Sequence, residues 1–213
     1  MDTLIAPLAT EQTKGQMTAA VLHGSEDLKI ESVGIPRLGP DEALVRVKVA
    51  LTCGTDLKVW KRGYHARMIT PPAIFGHELA GIIEQVGSDV PRSLQVGTRV
   101  VPSNSAPCGV CLFCRKQRSN LCEDLLFNNG AYAEYIRIPG RIVRQNLLEI
   151  PPHVSYLDAA MAEPLACVLR AIDDTGVQPG DTTVLIGCGP IGLNFIRILA
   201  GRGVNVIALG KRP

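Results

Sequence analysis

Four cysteines, Cys108, Cys111, Cys114 and Cys122, stand in the pattern Cys-x2-Cys-x2-Cys-x7-Cys. This spacing lets four thiolates converge tetrahedrally on one zinc ion at about 2.3 Å without help from distant chain. All-sulfur coordination leaves no position open for water or substrate, so such an ion orders a loop rather than catalysing a reaction. Buried thiols without metal, or an iron–sulfur cluster, fit the spacing less well. A second group is mixed. Gly76-His77-Glu78 and the isolated Cys53-Gly54-Thr55-Asp56 supply one imidazole, one thiolate and nearby carboxylates, a set suited to zinc with an open coordination position. Taken singly, a histidine beside a strand or a lone cysteine is an ordinary structural residue. The combination with the quartet is what points to chemistry.

A third motif, Gly187-x-Gly189-x-x-Gly192 with Pro190 and Ile191 inside it, follows an apolar run and opens a helical segment. In that context the glycines permit a tight turn, approach of a pyrophosphate to backbone N–H groups, and close helix–strand packing. Cys188 merely fills the motif. A site preferring NAD usually places Asp or Glu at the end of the second strand to hold the ribose 2′-OH. Here that place reads Leu209-Gly210-Lys211-Arg212. With no carboxylate, and with Lys211 and Arg212 available to pair a 2′-phosphate, the reading favours NADP over NAD.

The elements that must position these groups follow from pattern. From Met17 to about Pro152 short β-like runs alternate with Gly and Pro: Thr18–Leu22, Ala43–Leu51, Leu79–Val86, Thr98–Val101 and Ala133–Ile138. They predict a barrel-like β domain over residues 17–154, preceded by a flexible tail over 1–16. Thr55–Lys61 reads as a short helix, with Leu57 and Trp60 on one face. The stretch Pro102–Asn129 lacks periodicity, and a metal would order it. Ser155 to Thr175 then reads as a long helix capped by Ser155, with Pro164 as the place where it would divide. Thr182–Ile186, Pro190–Leu199 and Val204–Leu209 form a βαβ unit whose apolar strands predict burial on both faces.

With 213 residues, 46% hydrophobic and 20% charged, the chain exceeds one average domain, and its composition is that of a globular protein. A formal net charge of +2 gives no general attraction to nucleic acid or anionic membrane, and the cluster Arg115, Lys116, Arg118 reads as a solvated loop. No apolar stretch is long enough for a membrane span. Met1 to Gln16 lacks a secretory pattern, so the expected compartment is the cytoplasm, where clustered cysteines read as ligands rather than disulfides.

Cys53-Gly54-Thr55-Asp56, Gly76-His77-Glu78-Leu79-Ala80-Gly81, the cysteine quartet, Glu163-Pro164-Leu165-Ala166 and Gly187-Cys188-Gly189-Pro190-Ile191-Gly192 occur in an order that resembles the zinc-dependent medium-chain alcohol dehydrogenases, especially the sorbitol and threonine dehydrogenase branch. The resemblance implies a mixed fold: a GroES-like β-barrel-type catalytic domain followed by the first βαβ part of a Rossmann domain over residues 155–213. It implies two zinc ions per chain. Cys53 and His77 are ligands of the catalytic one, Glu78 and Glu163 complete that site in a division left open, and Asp56 braces it. Thr55 matches the family's proton-relay hydroxyl. The implied reaction is hydride transfer between a secondary alcohol or polyol, or the corresponding carbonyl compound, and NADP or NAD. Lys58 and Tyr64 read as exposed, and His23, His65 and His153 as structural. Family members continue past the first βαβ, so the chain reads as truncated within the dinucleotide-binding domain, with the usual dimer-forming strand beyond it. The alternative is a catalytically inactive zinc-binding module that partners another polypeptide.

Overall fold

A computed structural model of the chain describes residues 12–211. They separate into two compact units between Ala160 and Met161.

The first unit is a succession of short antiparallel strands. In chain order it comprises β1 (Gln12–Gly24), β2 (Asp27–Pro36), β3 (Ala43–Leu51), α1 (Gly54–Arg62), β4 (Ala73–Ile74), β5 (Glu78–Val86), β6 (Arg99–Pro102) and β7 (Ser105–Ala106). Then follow α2 (Leu112–Arg115), a 3-10 turn (Ser119–Leu121), β8 (Leu126–Phe127), β9 (Tyr135–Ile138), α3 (Gly140–Asn146), β10 (Leu147–Glu149) and α4 (Tyr156–Ala160). One sheet has the order β10-β6-β5-β3-β9, a second β2-β1-β4, and β7 pairs with β8. The inward residues Val45, Leu79, Ile83, Val100 and Ile138 close over Ile142 of α3 as one apolar core. Burial of such side chains is the main stabilising term of the unit.

One expectation changes here, and a long strand, β2, is added to those expected. β1 begins at Gln12, so residues 12–16 belong to a strand rather than a tail: Gln16 lies opposite Gly34 and Gln12 opposite Pro36, across an irregularity. Backbone pairing formed this extension, and polar side chains do not announce it. Residues 1–11 lie outside the described residues. β2 itself escapes a reading by hydrophobic alternation because none of its residues is buried and its apolar Leu28 and Ile30 are exposed.

The end of the unit is fastened by Arg99, which donates to the carbonyls of Pro152 at 3.3 Å and Val154 at 2.5 Å and lies over the Tyr156 ring. Ser155 caps α4 by accepting the N–H of Asp158 at 3.1 Å. The helix expected to run from Ser155 to Thr175 breaks at Met161 rather than at Pro164. Pro164 falls in the first turn of α5 (Ala162–Thr175), where a missing N–H removes no intrahelical bond.

In the second unit α5 is followed by β11 (Thr182–Ile186), α6 (Pro190–Gly201) and β12 (Asn205–Leu209). The two strands are parallel and in register from Thr182 opposite Asn205 to Ile186 opposite Leu209. Val168 and Ile172 of α5 pack with Leu199 of α6 and with Val204, and Val206 of β12 joins them. The strands are not buried on both faces as their apolar run suggested. Val184, Ile207 and Leu209 are exposed, and Ile186 is 84% exposed. A two-stranded parallel sheet offers the helices of this unit one face only, so alternate side chains turn outward.

Candidate metal centres and dinucleotide turn

Strand pairing brings the mixed donors together. Leu51, the last residue of β3, is opposite Glu78, the first of β5, so Cys53 arrives beside His77 and Glu78 two residues after the ladder ends. Cys53 is then the N-cap of α1: its sulfur accepts the Thr55 N–H at 3.4 Å, and its own N–H donates to Asp56 Oδ2 at 2.9 Å, a reciprocal capping box. One ligand atom from each of Cys53, His77 and Glu78 lies within 4.8 Å of the others. His77 is 4% and Glu78 5% exposed. Sulfur, nitrogen and oxygen donors from three residues match a zinc site that keeps its fourth position for water or substrate.

A buried carboxylate arranges this centre from behind. Asp56, 2% exposed, places Oδ1 3.1 Å from His77 Nδ1, which leaves Nε2 as the nitrogen available to a metal. Burial by itself would raise the Asp56 pKa, but His77, the Cys53 N–H and the Tyr132 hydroxyl outweigh it and hold the carboxyl below its ordinary value. Burial pushes the Cys53 thiol up, and it pushes Glu78 up against the opposing influence of His77. A dication at this point would favour the charged form of both, which is how a metal-binding pocket looks when assembled from acids.

Tyr132 is the residue that sequence reasoning missed. Its hydroxyl reaches Asp56 Oδ2 at 2.8 Å and the Leu51 carbonyl at 3.0 Å. Gly76 carries a φ of +88°, and a Cβ there would stand 2.9 Å from the Tyr132 ring, so glycine admits the ring beside the backbone that leads into His77. The only sequence signal was that glycine. Thr55 lies next to Cys53, with its hydroxyl and N–H both at the sulfur. Glu163 belongs to the second unit, in the first turn of α5, where a carboxylate complements the helix N-terminus. Lys58 on α1 and Tyr64 in the loop after it are exposed, as their positions implied.

The quartet forms a closed cluster. Cys108, Cys111, Cys114 and Cys122 place their sulfurs within 4.8 Å of one another, and Cys108–Cys114 and Cys111–Cys122 are each 3.9 Å apart. A tetrahedron with Zn–S bonds of 2.3 Å has edges of about 3.8 Å, so the residues fit zinc. Backbone N–H groups stabilise the negative form. Val110 and Cys111 donate to the Cys108 sulfur, and Cys108 to that of Cys122. The N–H groups of Cys114 and Glu123 hold Cys111 down at about 6, whereas desolvation and the neighbouring thiols push Cys114 up to about 12.

At the dinucleotide turn, Gly187 has a φ of +108° and its N–H donates to the Leu209 carbonyl at 2.8 Å. Gly189 caps α6, with Pro190 and Ile191 opening the helix. A Cβ on Gly192 would meet the Gly187 carbonyl oxygen at 1.9 Å, so the third glycine permits the helix to sit on the turn. Gly192→Ala therefore forces turn and helix apart. An overpacking cost of about 1–3 kcal/mol is expected in the second unit, read as earlier loss of hydrogen-exchange protection in β11 and α6. Lys211 is exposed at the end of β12, and Arg212 lies outside the described residues.

A β domain that carries a closed tetrathiolate cluster and an open thiolate–imidazole–carboxylate cluster, joined to a glycine-turn βαβ unit, defines the class of zinc-dependent, dinucleotide-linked dehydrogenases. Residues 39–151 match the Alcohol dehydrogenase GroES-like domain. The chain is 35% identical to the sorbitol dehydrogenase of Bacillus subtilis over 93% of its own length, and 36% identical to the L-threonine 3-dehydrogenase of Caldanaerobacter subterraneus over 91%. It superposes, with a TM-score of 0.82 and 34% identity, on a candidate zinc-binding dehydrogenase of Sinorhizobium meliloti solved with NADP, covering 92% of this chain and 56% of that one. The chain belongs to the zinc-dependent medium-chain alcohol dehydrogenase family, with a GroES-like domain followed by a partial Rossmann region. It spans 56% of the length of both curated relatives. No described helix is long and apolar enough to cross a membrane.

Proposed function

We propose that this chain carries the catalytic domain of a cytoplasmic oxidoreductase that moves a hydride between a secondary alcohol or polyol and NADP, with NAD as the weaker cofactor. The observation that carries the reading is the convergence of Cys53, His77 and Glu78, with His77 backed by Asp56. Two zinc ions per chain complete it. Cys108, Cys111, Cys114 and Cys122 would hold one, and Cys53, His77 and Glu78 the other. When bound there, zinc supplies Lewis acidity toward an alcohol or carbonyl oxygen. The chain's own groups do the rest. Thr55 passes the alcohol proton outward, Asp56 keeps the His77 proton on Nδ1, and Gly187, Gly189, Pro190, Ile191 and Gly192 receive the pyrophosphate. Lys211 and Arg212 meet a 2′-phosphate.

The exposed apolar side chains of Val184, Ile186 and Ile207 favour a second reading, in which this zinc-binding module pairs with another polypeptide and has no turnover of its own. Native mass spectrometry with NADP or NAD titrated in, run beside a turnover assay, decides between them. Two zinc ions, bound cofactor and turnover support the first reading. Zinc without cofactor or turnover supports the second, and zero zinc sinks both. The same spectrum gives the subunit number.

Glu78 provides a test of its own. Burial raises its folded-state pKa, so without metal the folded protein holds this proton more tightly than the unfolded chain does. The stability linked to Glu78 is complete below its unfolded value of about 4.3 and is lost as pH rises through the higher folded value. Metal-free Glu78→Gln is therefore expected to be more stable than the parent near neutral pH. With zinc saturating, the order reverses. Urea unfolding from pH 4 to 8, with and without zinc, measures both; an unchanged order in zinc would remove Glu78 from the ligand set.

A further inference from the structure

We infer that Tyr132 is a positioning residue for the mixed metal centre, acting through Asp56. This rests on the reading of Cys53, His77 and Glu78 as metal ligands. Asp56 Oδ2 takes the Tyr132 hydroxyl at 2.8 Å and the Cys53 N–H at 2.9 Å, while Oδ1 faces His77 Nδ1 at 3.1 Å. One carboxylate thus spans the backbone of one ligand and the ring of another, and among the described residues the phenol is its one side-chain anchor from outside α1 and His77. Tyr132 has a single proton and two acceptors, Asp56 Oδ2 and the more distant Leu51 carbonyl. A charge-assisted bond is the shorter and stronger of such a pair, so the proton belongs to Asp56.

The anchor is itself well held. The Tyr132 ring packs edge-on against Phe75 with centroids 5.6 Å apart and joins the core that contains Val45 and Ile83 as well as a second apolar cluster of Leu22, Val59, Ile69 and Phe75. Its N–H donates to the Phe75 carbonyl, and its carbonyl accepts from Ala20. β1, the segment before His77 and the β9 approach therefore fix the hydroxyl in space before any metal arrives. Partners that orient a ligating histidine commonly change metal affinity about 10–100-fold when removed.

Tyr132→Phe keeps the ring and deletes the hydroxyl. In the full chain, zinc competition against a chromophoric chelator should show one of two metals weakened about 10–100-fold and the tetrathiolate metal unchanged, and the cobalt-substituted mixed centre should show shifted d–d bands. Asp56→Asn should weaken the same metal, and Tyr132→Phe should add nothing in that background. Affinity within about twofold of the parent and an unchanged cobalt spectrum would overturn the inference, as would losses that simply add in the double variant. Collapse of Tyr132→Phe, seen as loss of the tetrathiolate cobalt band, would also overturn it by making the hydroxyl a fold contact. A parent chain that binds only the tetrathiolate metal would instead bring down the underlying site reading, which separates the two failures.

Discussion

Under the proposed function, Cys53→Ser is expected to leave the chain folded with one tightly held metal in place of two, and to lower dehydrogenase turnover by at least about a thousandfold. The thiolate is the softest donor of the mixed centre, and serine's hydroxyl is a poor substitute for it at neutral pH. A Lewis-acid metal contributes several kcal/mol to the transition state for alcohol oxidation, and about 4 kcal/mol corresponds to a thousandfold in rate. The fold survives because Cys53 lies at a helix N-cap where serine still accepts the Thr55 N–H, and because it is not part of the apolar core. Zinc per chain by elemental analysis, turnover with NADP and a secondary alcohol, and far-ultraviolet circular dichroism check the three parts. Retention of both metals and of turnover would remove Cys53 from the centre.

Cys122→Ser has the second large effect, of a different kind. Within residues 107–123 only Cys122 itself is buried, and Val110, Leu112 and Leu121 are exposed. Apolar burial therefore cannot hold this lobe, and the proposed tetrathiolate metal would serve as its core. Structural zinc in small peptides contributes apparent binding energies of about 10–16 kcal/mol at neutral pH. Loss of one of four thiolates, the one that also accepts the Cys108 N–H, should release the ion and open the lobe by local unfolding. Hydrogen exchange is expected to lose all protection between residues 107 and 124 while β3 and β5 keep theirs, because their side chains pack in a separate apolar cluster. Limited proteolysis should cut first after Arg115, Lys116 or Arg118, which are exposed. If the lobe stays protected without zinc, the quartet has another role.

These expectations show how unevenly sequence and structure contribute. The quartet was legible because its chemistry is local. Four thiols within fifteen residues of chain can reach one ion whatever the rest of the protein does. The strands β3 and β11 were legible to the residue, because branched apolar runs bounded by turn residues leave few alternatives. The glycine turn was legible for the same reason: its conformation and the contact of Gly192 with Gly187 lie within six residues. By contrast, β2 and the extension of β1 form by backbone pairing to one another, and no residue of β2 is buried, so β2 leaves no pattern of buried side chains to read.

The mixed centre lies between these cases. Cys53, His77 and Glu78 were named by residue type and by likeness to a family, but their distance from one another depends on the β3–β5 register, which a slip of one residue would turn inside out. The role of Asp56 was implied by the same likeness. That of Tyr132 was invisible, because 76 residues separate it from Asp56 and its hydroxyl reaches the carboxylate only after β1, β4 and the segment before His77 have packed around its ring. What the sequence by itself determined were the donors, the glycines and the apolar runs, since each depends on near neighbours in the chain. Only the tertiary structure decided which buried groups hold those donors in place, because hydrogen bonds between distant segments exist only once a common core has brought them within 3 Å.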